Sequence, residues 1–109
     1  MLFRSSPRWA DLTVAEQEAL TSAGRCAPGD VLGSVEGDVL LIGVEPVAVA
    51  CELLDRMLSA GGELVTLVVG PDAVLADAVC AHLAGAHPTV EVTRYDGAPE
   101  GVPLQVGVE

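Results

Sequence analysis

Two strand-to-helix turns, Ile42-Gly43-Val44-Glu45-Pro46 and Val69-Gly70-Pro71-Asp72, each put a carboxylate where a bound phosphate would have to sit. The start of a helix is a natural anion site, because its unpaired N–H groups and its dipole point outward. Glu45 and Asp72 are placed to satisfy those donors themselves as caps, and their charge repels an incoming phosphate. The alternation of strands and helices around them invites a nucleotide-binding reading. These two acids argue against it.

Other chemistry-bearing residues are thinly spread. Cys80-Ala81-His82, with His87 nearby, is a poor zinc set: structural zinc wants four ligands, and only Cys26 and Cys51 remain to complete one. Cys80 and His82 also diverge by about 200° on a helix, so a core thiol and an exposed imidazole are expected, with no metal and no cofactor. Cys26 sits beside Arg25 just past a predicted helix end, the wrong end to stabilise a thiolate, and Cys51 falls near an apolar stripe. No nucleophile elbow of the hydrolase kind occurs. The acids Glu36 and Asp38, Asp96 and Glu100, and Asp30 flank glycines in expected turns, where carboxylates commonly hydrogen-bond the local backbone. No catalytic residue is assigned. Arg94-Tyr95-Asp96-Gly97 is the recognition candidate, since Tyr and Arg dominate interfaces and are scarce elsewhere here. Its bland counterpart has Tyr95 packed on a neighbouring strand and Arg94 paired with an acid.

The chain has 109 residues, enough for one domain with its own core. Half are hydrophobic but only Phe3, Trp9 and Tyr95 are aromatic, so Val, Leu and Ala must build that core. Sixteen acids, five arginines and no lysine give a formal net charge of −11. Such a surface repels nucleic acid and anionic membranes, and the missing lysine removes Schiff-base chemistry and a P-loop. Three widely spaced cysteines fit reduced thiols in a cytoplasmic protein, and neither a membrane span nor a signal peptide is legible.

Residues 1–12 lack a period and read as a loose arm, leaving one α/β domain over 13–109. Thr13-Val14-Ala15-Glu16 matches a capping box, which predicts a short helix ending at Gly24. A hairpin follows, Val31–Val35 and Asp38–Ile42 around Glu36-Gly37. Val47, Ala50, Leu53, Leu54, Met57 and Leu58 make one helical stripe after Pro46, with Glu52 and Arg56 paired on the outside. Leu64–Val69 reads as a strand covered on both faces, and a helix is expected from Asp72 to Ala86. Thr89–Tyr95 alternates like an edge strand, and Leu104–Val108 is a last strand that is free to run antiparallel. The expected fold is therefore a small, mostly parallel sheet flanked by helices, with an N-terminal helix and hairpin.

Three stretches carry a family resemblance: Ala23 to Gly43, Leu53 to Ala73, and the closing Val90 to Glu109. In order and spacing they resemble the C-terminal domain of the A subunit of bacterial fatty acid kinase, in the dihydroxyacetone-kinase-like family. The resemblance covers about Thr13 to Glu109. It implies that ATP binding and phosphoryl transfer belong to a separate N-terminal kinase domain and a metal site to a middle domain. The part seen here would engage the fatty-acid-binding B subunit, the carrier that presents the acyl carboxylate, and would not itself be an enzyme. The chain keeps Asp96, Gly97, Pro103, Leu104, Gly107, Val108 and Glu109 of the family's closing segment. It has Ala98, Pro99, Glu100, Val102 and Gln105 where Gly, Gln, Pro, Tyr and Leu stand in the family.

The resulting expectation is a non-catalytic docking domain. Its partners would be a kinase domain, in cis or trans, together with the fatty-acid-binding carrier, without nucleic acid or membrane. Arg94, Tyr95, Asp96, Gly97, Pro103 and Leu104 are the expected contact residues. A small phosphatase or hydrolase with its site at the strand ends is the alternative. A homodimer paired through an edge strand is a third reading.

Overall fold

The computed structural model describes residues 7–109. Eight strands and two helices follow in the order β1 (Arg8–Val14), β2 (Ala19–Thr21), β3 (Gly24–Cys26), β4 (Val31–Val35), β5 (Asp38–Gly43), α1 (Pro46–Ser59), β6 (Leu64–Val69), α2 (Ala73–Ala86), β7 (Glu91–Asp96) and β8 (Leu104–Val108). Six strands form one sheet in the order β5-β4-β1-β8-β6-β7, while β2 and β3 make a separate small hairpin.

The sheet is mostly antiparallel, which corrects the expected parallel one. Among the described residues, only β6 and β7, joined by α2, pair in parallel. Periodicity identifies strands and helices but not their neighbours. The α1 connection leads from the edge strand β5 to β6, and β4, β1 and β8 fill the space between them. Because β8 comes from the far end of the chain, its place between β1 and β6 has no local signal.

The helix expected after Thr13 is absent, and so is the loose arm from Arg8 onward; Phe3 and residues 1–6 lie outside the described residues. Arg8–Val14 is instead a central strand that buries Ala10 and Leu12 and turns Trp9, Asp11 and Thr13 to the other face. A helix of two or three turns is marginal alone. A strand bonded on both sides also places Leu12 in the core, and that tertiary gain overrides the capping-box pattern. Beyond it, the Thr21 hydroxyl donates to Gly24 O at 2.6 Å and accepts from Ala23 N at 3.1 Å, closing the β2–β3 turn.

Both helices share one core with the inner face of the sheet, where Leu53, Leu54, Val79, Leu83, Leu12, Val65 and Val106 are fully buried. The other face is open. Along β6, Val65, Leu67 and Val69 are buried while Leu64, Thr66 and Val68 are half-buried, so this strand is covered on one face only. Close packing explains two glycines. A Cβ on Gly43 would meet Val49 of α1 at 2.6 Å, and one on Gly107 would meet the Trp9 ring at 3.0 Å.

Candidate docking surface

Strand directions bring the starts of both helices to one end of the sheet. The β5 strand runs into α1 there and β6 into α2, while β7 delivers the chain to the loop Gly97–Pro103. Glu45 accepts from Val47 N at 3.1 Å and Asp72 accepts from Leu75 N at 3.1 Å, each through its side chain. The two acids therefore cap their helices as their positions imply, and Pro46 occupies the first turn of α1.

Around these caps the surface is unusually apolar. Val44 is 85% exposed, Leu20 81%, Val74 76% and Val14 47%. Val44 and Val74 flank the helix starts, Val14 ends β1, and Leu20 lies on the β2–β3 hairpin that rises from the same end. The base of that hairpin is tied by Ala15 N to Asp30 O and Gly29 N to Ala15 O, at 2.8 and 2.9 Å. Side chains that large are normally buried, so their exposure at this end of the sheet makes it a candidate contact surface.

The closing loop divides this end into two clefts. Gly97 N and Ala98 N both donate to Val69 O, at 3.0 and 3.1 Å, and Gly70 N donates to Pro103 O at 3.0 Å. On one side lies a cleft of about 380 Å³ between Gly70, Pro71, Arg94, Asp96 and Gly97. On the other, a cleft of about 500 Å³ runs between Val14, Pro71, Pro99, Val102 and Pro103, with Glu16 and Glu100 at its margin.

The expected contact residues separate in space. Arg94, Asp96, Gly97 and Pro103 line the clefts. Arg94 is held by Asp77 of α2 at 3.0 Å, a bond that raises its guanidinium further above its ordinary value. Tyr95 points to the open sheet face and is 57% exposed. Leu104 is buried in the core at the base of the loop, away from the surface.

At the opposite end of the helices lies a group that the sequence did not reveal. The Nε2 atoms of His82 and His87 each lie 2.7 Å from the same Asp55 Oδ1. Burial alone would raise the Asp55 carboxyl, but hydrogen bonds from His87 and His82, with their charge, hold it below its ordinary value. Cys51, one turn earlier on α1, is pushed up by burial and by the Asp55 charge. All three cysteines are free.

A family model for the C-terminal region of fatty acid kinase A-like proteins matches residues 5–109. The chain belongs to this family. No curated protein matches it. In this fatty acid kinase A-like domain, the close of the chain serves two ends at once: Leu104 and Val108 fill the core while Asp96, Gly97 and Pro103 shape the clefts. Among the described residues, no helix is long and apolar enough to cross a membrane. Sequence reasoning missed Val14, Leu20, Val44 and Val74 as surface residues because valine and leucine are ordinarily assigned to a core. It missed Asp55 because 27 residues separate it from His82.

Proposed function

We propose that this domain is a non-catalytic docking module of a fatty-acid-kinase-like system. It binds the fatty-acid-carrying B subunit through the end of the sheet where both helices begin, and so holds the carrier against a separate kinase domain. The observation that carries this reading is the cleft lined by Val14, Pro71, Pro99, Val102 and Pro103 with Glu16, Asp72 and Glu100 beside it, at the sheet end that also exposes Leu20, Val44 and Val74. An apolar centre within an acidic rim suits a partner with an apolar patch bordered by basic residues, whose encounter the charge of −11 would accelerate. Family membership supports the same reading.

The alternative of a hydrolase at the strand ends has weaker support. Both clefts are lined without Ser, Cys or His, so a hydroxyl or thiol nucleophile with an imidazole base is missing there, and the side-chain acids are Glu16, Asp72, Asp96 and Glu100. Titration calorimetry of the chain with its cognate carrier tests the proposal. A one-to-one complex is expected that weakens with salt and weakens about tenfold or more in a Leu20→Ser/Val74→Ser variant whose stability is unchanged. No complex at low salt, or ester turnover abolished by Asp96→Asn, would replace the docking reading.

A further inference from the structure

We propose that Asp55, His82 and His87 form a binding site for one zinc-class divalent cation, clamping α1 to the end of α2. The three side chains come from two helices, and their donor atoms all lie within 4.8 Å of one another. The two imidazole rings meet edge to face, 69° apart with centroids 6.1 Å apart, so both Nε2 atoms converge on one carboxylate oxygen. Two imidazoles and one carboxylate suit zinc, nickel, cobalt or copper; magnesium and calcium prefer all-oxygen sets.

The surroundings favour a cation. His87 is the C-cap of α2 and His82 lies one turn before its end, where the helix dipole is negative. The last turn of α2 has no basic residue to offset it. Arg56, the nearest arginine in sequence to Asp55, leans toward Glu52 at 3.8 Å. Both imidazoles are about three-quarters buried while Asp55 is half exposed, which leaves a path for the ion and a fourth position for water. Each Nε2 now sits 2.7 Å from the carboxylate oxygen. Tetrahedral zinc, with bonds near 2.0–2.1 Å, separates its ligands by about 3.3 Å, so each Nε2 must draw back from the carboxylate oxygen by about 0.6 Å, with all the donor atoms already within 4.8 Å of one another. Binding would replace the shared hydrogen bonds and release any proton held on Nε2. Neither cleft at the helix starts includes these residues, so the ion's role is to fix one helix against the other.

The test is calorimetric titration of the metal-stripped chain with zinc chloride, alongside the cobalt absorption spectrum and thermal melting. One saturable zinc per chain is expected, with a rise in Tm of roughly 10 °C at hundredfold excess over Kd. Magnesium should produce no shift. His82→Gln, His87→Gln and Asp55→Asn should each weaken zinc at least about tenfold while keeping the native circular dichroism spectrum. Absence of saturable binding at millimolar zinc, or binding that survives both histidine substitutions, would overturn the site. If the variants fail to fold, nitrogen chemical shifts of the two Nε2 atoms in the unmodified chain decide the matter: shifts unchanged by zinc overturn it.

Discussion

Both helices begin at one end of the sheet and finish at the other, and the chain meets the two sets of unpaired backbone groups with opposite chemistry. At the starts, Glu45 and Asp72 answer the free N–H groups. At the finishes, Arg8 donates to Met57 O at 3.1 Å and to Gly61 O behind α1, and the two histidines stand at the close of α2. Both solutions follow the helix dipole. They differ in what is left uncovered. The starts leave exposed Val44 and Val74 beside the two clefts; the finishes leave a further cleft at Arg8, Gly61 and Glu109 and the converging Asp55, His82 and His87. Local capping is thus an ordinary structural need at both ends, and the surplus beyond it tells the ends apart: exposed apolar side chains at one, converging carboxylate and imidazole groups at the other.

The largest effect that separates support from contact comes from Leu104. Because it is buried beneath the closing loop, Leu104→Ala should cost about 2–5 kcal/mol in urea unfolding. A carrier-affinity loss without that destabilisation would restore it as a contact residue. The caps should have smaller effects. Asp72→Ala is expected to cost about 1 kcal/mol, and Glu45→Ala about 0.5 kcal/mol because its longer side chain is a poorer cap. If phosphate then binds either variant in a titration, the acids also act as the barrier their charge implies. The smallest effect concerns pH. The folded chain holds Asp55 below its ordinary value, so its contribution is complete at neutral pH and is lost as acid carries the pH down through the carboxylate range toward the lowered native value. In the metal-free chain, Asp55→Asn should flatten the fall in Tm below about pH 5. Asp11 works the other way: burial raises it, and its stabilising share is lost as pH rises through that raised value.

Much of the fold is readable locally. The stripe from Val47 to Leu58, the uninterrupted Leu64–Val69 and the alternation before Tyr95 each repeat with the period of the element they form. The i,i+4 pair Glu52–Arg56 forms as its spacing implies. The N-terminal third is different. Thr13 and Glu16 mimic a helix start, yet Leu12 pairs with Gly33 on one side and Leu104 on the other, contacts separated by many residues. Of the candidate site, Asp96, Gly97 and Pro103 were legible as a loop after a strand. Val14, Leu20, Val44 and Val74 were not, because hydropathy alone assigns such residues inward.

The sequence alone determined the acidic charge, the helix caps, the position of most strands and helices, and the family. Those are properties of composition and of spacing within a few residues. Tertiary structure decided the antiparallel order around β1 and β8, which apolar side chains were left outside, and the meeting of Asp55 with His82 and His87. Each depends on which distant segments pack together, and that choice is made by burying the whole set of apolar faces at once.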